Sequence, residues 1–297
     1  MSDKADLVVP KWTSFTKAWH NKPYPLISPS RPELSAAGKN VIVTGGGTGI
    51  GKAIALAFAE AGARSVTIIG RRLDRLQTAA AAISHAKGAG SGIEILYEVA
   101  DLTKREQVHA ALKKITDRIG KIDVLISNAG ALPQPAPLRG YDAEKLMEGF
   151  GVNVLGSFNA IDAFIPLAGP EPVLVSVTAA LVHTQPMPGM GAYTAAKTAQ
   201  MKMVDYFAAE NPQLHVVQMH PGMVLTELAG TTAPPAGIQL DDADLAGHFS
   251  VWLTSAEARF LRNKLVWVNW DAHELLDRAK EISGSGLLTV SLDGVGM

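Results

Sequence analysis

The sequence predicts an α/β fold, built as one doubly wound parallel sheet of about seven strands. Three observations predict it. Seven short runs rich in Val, Ile and Leu recur along the 297 residues, and such near-continuous apolar runs suit strands buried on both faces. Helical segments separate most of them, as right-handed strand–helix–strand crossovers require. The first run passes into a helix through a glycine-rich stretch, the arrangement in which such sheets receive a nucleotide.

The elements follow in order. Residues 1 to about 37 carry Pro10, Pro23, Pro25, Pro29 and Pro32 and few periodic apolar positions, which predicts an irregular N-terminal extension (1–37) ahead of a single domain (38–297). NVIVTG (40–45) reads as the first strand, followed by an alanine-rich helix from about Thr48 to Ala61. SVTIIG (65–70) is the second strand, and residues 72–86 the next helix. GIEILYEVA (92–100) is the third strand; residues 104–119 form an amphipathic helix with Val108, Leu112, Ile115 and Ile119 on one face. DVLISN (123–128), PVLVSV (172–177), LHVVQM (214–219) and KLVWVN (264–269) complete the strands, with long helices at about 141–165 and 191–210. The whole is a Rossmann-type architecture without an internal boundary.

Composition narrows the function classes. Apolar residues make up 47% and charged residues 19%, the balance of a globular chain. A formal net charge of −1 and the lack of a long basic run argue against a nucleic-acid partner. With no cysteine, thiol nucleophiles, thiolate metal sites and disulfides are excluded, and no metal is expected. The opening residues do not read as a signal peptide, and no uninterrupted apolar run of about 18 residues predicts a membrane span. The cytoplasm is the default location.

The stretch VTGGGTGIGKA (43–53) lies where the first strand turns into a helix. Gly45, Gly49 and Gly51 allow the backbone close to a pyrophosphate, and the helix N-terminus beyond Thr48 and Ile50 offers unpaired N–H groups. The second strand ends at Gly70 rather than at a carboxylate, and Arg71 and Arg72 follow. Guanidinium groups there suit a 2′-phosphate, so the cofactor is predicted to be NADP(H) rather than NAD(H). Farther on, AYTAAKTAQMKM (192–203) places Tyr193 and Lys197 four apart on one helix face. An ammonium near a phenol lowers its pKa, so Tyr193 is predicted to exchange a proton while a hydride moves.

With these residues the chain resembles the short-chain dehydrogenase/reductase family, and its tail WVNWDAHELL (267–276) and proline-rich N-terminus resemble a fungal subgroup. TGGGTGIG (44–51), ADLT (100–103), NAG (128–130), NVLG (153–156), YTAAK (193–197) and PGMVLTE (221–227) occur in that family's order. The resemblance implies that Asp101 and Leu102 meet the adenine and that Asn128 and Gly130 line the cofactor near its ribose. It implies that Asn153 holds a water linking Lys197 to solvent, and that Lys197 also binds the nicotinamide ribose. Pro221, Gly222, Val224 and Thr226 would pass along the nicotinamide, and residues 228–245 would form a substrate lid.

The departure is a serine. The family usually ends its fifth strand with two serines, the second thirteen or fourteen residues before the tyrosine; here Ala179 and Ala180 stand at those positions. Thr178 precedes them, and Ser176 lies on the same strand face as Thr178. Thr178 serves as the substrate-oxygen donor if the strand end bulges; His183 is a second candidate, and His220 reads as structural. Small neutral lid residues with Met187, Met190 and Met223 suggest an apolar pocket for a hydrophobic ketone, aldehyde, enone or imine of secondary metabolism. The competing expectation is a protein that keeps the nucleotide site but catalyses redox-neutral chemistry, as a cyclase, dehydratase or isomerase. The two long middle helices are expected to form a homodimer or homotetramer.

Overall fold

A computed structural model describes residues 14–87, 92–227 and 239–292. Among these, the sheet has seven parallel strands in the order β3-β2-β1-β4-β5-β6-β7. They are β1 (Asn40–Thr44), β2 (Ser65–Gly70), β3 (Glu94–Val99), β4 (Ile122–Ser127), β5 (Ala168–Val177), β6 (His215–His220) and β7 (Lys264–Trp267). The helices are α1 (Gly49–Glu60), α2 (Leu73–Lys87), α3 (Arg105–Ile119), α4 (Ala143–Phe150), α5 (Gly156–Phe164), α6 (Gly191–Glu210), α7 (Ala243–Leu253), α8 (Ala272–Asp277) and α9 (Ala279–Ser283). The order reverses between β1 and β4, so a crevice opens there at the carboxyl ends of the strands.

Alternation along the strands divides the core into two layers. Val173, Val175 and Val177 of β5 join Phe58 of α1 and Phe249 and Trp252 of α7 on one face. Leu174 joins Leu112 of α3, Phe164 of α5 and Val204 of α6 on the other. The predicted stripe of α3 is realised, with Val108, Leu112, Ile115 and Ile119 all buried. β5 starts four residues earlier than predicted, at Ala168, because Pro170 and Pro172 disguise a strand whose pairing shifts register against β4 between Ile122 and Val124.

The helix expected over 141–165 is interrupted. Gly151–Leu155 form a wide π-type turn between α4 and α5. The cause lies in Asn153, whose side-chain amide donates to the Gly149 carbonyl at 2.9 Å, the acceptor its own backbone N–H would use in an α-helix. By length and composition alone Ala143–Leu167 would pass as a membrane-crossing helix, which corrects the expectation that no stretch does. A count of uninterrupted apolar residues passes over this stretch, whereas an average tolerates its few polar ones. Here Ile161 and Phe164 of this stretch lie fully buried on the sheet.

The predicted lid falls mostly at 228–238, outside the described residues. Its predicted end is moved: residues 243–245 are the first turn of α7, whose N-terminus is capped by Asp242 accepting from the Asp244 N–H. Just before it, Asp241 accepts from Met223 N at 2.6 Å, Asn21 Nδ2 at 2.6 Å and Asn269 Nδ2 at 2.8 Å. The N-terminal extension is therefore tied into the domain. The backbone N–H groups of Lys17 and Ala18 both donate to Glu274, and His20 N donates to Asn269 O at 2.9 Å. Ile27 and Leu34 are buried in the first core layer.

Two buried histidines give a stability prediction. Burial pushes His220 down to about 3, helped by the nearby His183, and His215 down to about 4, helped by Arg259 and Arg262. Both fold as neutral rings; below the ordinary histidine value near 6.5 the unfolded chain takes up protons that the folded chain refuses. Stability should be full above that pH and fall as pH drops, each ring contributing about 1.4 kcal/mol per pH unit. Urea denaturation at pH 7 and pH 5 checks this; equal midpoints would mean that the rings accept protons in place.

Candidate active site

The glycine-rich turn is built against the neighbouring strand. Thr44 Oγ1, at the end of β1, accepts from the N–H groups of Asn128 and Ala129 at 3.0 and 3.1 Å, and Asn128 Nδ2 donates to Thr44 O at 3.0 Å. Two strand ends are thereby joined where the sheet order reverses. Gly45 and Gly49 adopt φ of +67° and +51°, which a side chain would strain. A Cβ on Gly51 would sit 2.4 Å from Gly45 O and 2.5 Å from Asn128 Nδ2, so no other residue fits at the start of α1.

A cavity of about 350 Å³ opens over this turn. Its wall brings together Gly45, Thr48, Gly49, Ile50, Gly51, Arg71, Arg72, Asp101, Leu102, Asn128, Gly130 and Thr226, twelve of the residues predicted to bind the cofactor. A cradle kept open by missing Cβ atoms, facing a helix N-terminus and flanked by arginines, fits a dinucleotide phosphate. Pro221, Gly222 and Val224 are not in this wall. Gly222 (φ +81°) instead turns the chain against Asp241, whose Oδ2 lies 2.6 Å from where a Cβ would stand.

The charges of the wall are unequal partners. Arg72 Nη1 pairs with Glu227 Oε2 at 3.0 Å, and Arg75 Nη2 with Glu227 Oε1 at 3.1 Å. Arg71 forms no ion pair of that kind among the described residues. Burial works to raise the Asp101 carboxyl, but hydrogen bonds from Thr103 and the charge of Arg71 overcome it and hold the group below its ordinary value. Sequence reasoning missed Arg75 and Glu227. Arg75 lies one helical turn beyond the motif, and nothing local signals that Glu227, 155 residues after Arg72, returns to the same wall.

Tyr193, Lys197, Asn153 and Thr178 do not line this cavity; they lie on and beneath α6. Tyr193 is half-buried, and its hydroxyl has no hydrogen-bond partner among the described residues. Lys197 is buried, donating to Val177 O at 3.0 Å and to Gln200 Oε1 at 2.9 Å. A Cβ on Gly130 would stand 3.4 Å from Lys197 Nζ and 2.9 Å from Asn153 Oδ1, which places both side chains directly behind the cavity wall. The expected lowering of Tyr193 is corrected: burial pushes the phenol up to about 12 and pulls Lys197 down to about 8. Desolvation acts on both groups, and two of the three ammonium protons go to Val177 and Gln200.

The Asn153 side chain is anchored by protein groups. Its Nδ2 donates to Ala131 O and Gly149 O at 2.9 Å each, and its Oδ1 accepts from Ala131 N at 3.1 Å, so the amide is occupied by protein groups. Thr178 extends the β5 ladder, its N–H donating to Met219 O at 2.9 Å. Gln218, the register neighbour of Ser176 on β6, donates to Met201 O and Asp205 on α6, so Ser176 and Thr178 share the face that α6 covers. Thr178 Oγ1 is buried without a hydrogen-bond partner. Ala179 and Ala180 are buried past the strand end, and Ala180 N donates to His220 Nδ1 at 3.2 Å, which bears out a structural His220. His183 Nε2 accepts from Trp267 Nε1 at 2.9 Å.

A further polar line was missed. Gln200 Nε2 donates to Ser157 Oγ at 3.3 Å, and Ser157 Oγ lies 3.0 Å from Ser127 Oγ. Gln200 lies three residues past Lys197 on the same face, a spacing that could have flagged it.

Comparison with known proteins agrees with this geometry. Residues 39–236 match the family model described as short chain dehydrogenase. A short chain dehydrogenase/reductase of Claviceps purpurea is 30% identical, covering 93% of this chain and 94% of its own. The short chain dehydrogenase citE of Monascus ruber is 32% identical, covering 95% and 96%. Among solved structures, an alcohol dehydrogenase of the archaeon Thermococcus sibiricus, complexed with 5-hydroxy-NADP, superposes with a TM-score of 0.69 at 27% identity over 78% of this chain and 96% of its own. A short chain dehydrogenase of Burkholderia cenocepacia in complex with NADP gives 0.70 at 25% identity over 80% and 99%. Sheet order, glycine cradle and Tyr-x-x-x-Lys helix thus coincide with sequence likeness along nearly the whole chain, which belongs to the short-chain dehydrogenase/reductase family of nicotinamide-dependent oxidoreductases, together with fungal members.

Proposed function

We propose that the protein is an NADP(H)-dependent oxidoreductase that reduces the carbonyl, enone or imine of a hydrophobic small molecule, with Tyr193 as the acid/base. The observation that carries the reading against redox-neutral chemistry is the buried, unpartnered Thr178 hydroxyl on the face covered by α6. An orphaned buried hydroxyl is costly and calls for a partner, and a substrate oxygen would supply one; Ser176 Oγ, on the same face, is unpartnered among the described residues as well. Thr178 then polarises the substrate oxygen in place of the serine replaced by Ala179, and Tyr193 delivers the proton. Lys197, charged below about pH 8, stabilises the phenolate that remains. Bound NADPH supplies the hydride. NADPH over NADH is supported by the arginines at the end of β2 and by the NADP ligands named for the two solved relatives.

The buried alanines at 179 and 180 favour the second reading, a redox-neutral enzyme. A panel of hydrophobic ketones with NADPH, followed by the absorbance of the reduced nicotinamide, separates the two. Consumption of NADPH supports the reductase; tight cofactor binding without consumption across the panel would leave the second reading standing. Within an active panel, Thr178→Val should lower kcat by about 10²–10³, the usual cost of one oxyanion donor, and Ala179→Ser should restore part of it. A fully active Thr178→Val would remove Thr178 from the mechanism. Met147, Leu155 and Tyr206 expose large apolar surfaces on α4, the wide turn and α6, in keeping with a homo-oligomer. A cytoplasmic location remains part of this reading.

A further inference from the structure

Arg72 and Arg75 line the cofactor cavity, yet both guanidinium groups converge on one carboxylate, that of Glu227. Each arginine takes a different oxygen, so the carboxylate bridges the two. Glu227 reaches them from the loop after β6, on the far side of the sheet's switch point. A carboxylate and a phosphate monoester present oxygens of similar spacing to guanidinium forks. The chain itself therefore fills, with its own anion, a pair of cations preset beside Arg71.

We propose that Glu227 is a specificity-determining residue of the nucleotide site: its carboxylate competes with the cofactor's 2′-phosphate for Arg72 and Arg75, and so sets how strongly NADPH is preferred over NADH. The proposal rests on the reading that the adenosine end of NADPH lies against Arg71. Both arginines and the glutamate remain about half exposed, with side-chain exposures of 55%, 47% and 45%. Exposed ion pairs of this kind are weak, so a dianionic phosphate displaces the carboxylate rather than being refused. NADH brings no such anion and leaves the pairs closed. Glu227 thus tempers the preference that three arginines would otherwise impose, and Arg75 becomes a phosphate-binding residue alongside Arg71 and Arg72.

Dissociation constants for NADPH and NADH, measured by nucleotide fluorescence, test this without any substrate. Glu227→Gln should tighten NADPH by about 3–30-fold, leave NADH unchanged, and lose most of the gain as salt rises through the range that screens surface charges. Arg75→Gln should weaken NADPH several-fold and spare NADH. Competition by adenosine 2′,5′-bisphosphate, but not by 5′-AMP, should follow the same pattern. An unchanged NADPH constant in Glu227→Gln, or an equal change for both cofactors, would overturn the proposal. A wild-type protein that binds NADH more tightly than NADPH would instead overturn the cofactor reading beneath it.

Discussion

Tyr193→Phe should lower turnover by about 10²–10⁴-fold while leaving the NADPH dissociation constant unchanged, because a positioned proton donor contributes on that scale and the phenol lies outside the cofactor cavity wall. Its partner sets the pH dependence. Lys197 is fully desolvated, and burial alone brings it down to about 8. In its charged form it donates to Val177 O and Gln200 and keeps a third N–H. kcat/KM for NADPH, which reports groups of the free enzyme, should therefore be level below about pH 8 and fall about tenfold per unit above it. Lys197→Arg should carry that limb beyond pH 10, since a guanidinium keeps its proton. An alkaline limb that stays in place in Lys197→Arg belongs to another group and removes Lys197 as its source.

Gly51→Ala should abolish cofactor binding, with a loss of at least about 100-fold in NADPH affinity. Its added methyl would overlap the Gly45 carbonyl and the Asn128 amide, at 2.4 and 2.5 Å. Neither can retreat: Gly45 is turn backbone at positive φ, and Asn128 is bonded to Thr44. The start of α1 must move instead, which pulls the N–H groups away from the phosphate position and costs about 1–3 kcal/mol of stability. Gly151→Ala is the control, at helical dihedrals with no atom within 4 Å of the added carbon. Binding that survives Gly51→Ala at wild-type strength would show that the cradle does not hold the pyrophosphate.

Much of this was legible in the sequence because it is local. Strands buried on both faces announce themselves as apolar runs, and the cradle as glycines between a strand and a helix. The stripe of Val108, Leu112, Ile115 and Ile119 fixed the inner face of α3 before any coordinate did. What escaped is non-local or depends on a face. Alternation alone puts Ser176 and Thr178 on one strand face, but that α6 covers this face appears only from the bonds of Gln218 of β6 to Met201 and Asp205. Glu227 closes on Arg72 across 155 residues, and no periodic pattern encodes such a return. Gln200 is a neutral amide in an alanine-rich helix, where composition gives it no distinction. Tyr193 and Lys197 were identified by spacing, but the direction of the phenol's shift depends on burial, which spacing does not reveal.

The N-terminal strap has a consequence for how the chain is made. Phe15, Lys17, Ala18, His20 and Tyr24 bond to residues between Asn269 and Arg278, across 246 to 263 positions. A ribosome delivers the strap before its dock, at roughly 5–20 residues per second, so the two are separated by about 10–50 s of translation. Ile27 and Leu34, fully covered in the finished molecule, have no complete binding surface during that interval, because the 3₁₀ turn carrying Ile27 packs on α7 and α8. The nascent protein thus holds an adhesive apolar edge open until α8 has emerged, and that edge is where a chaperone would be expected to bind it.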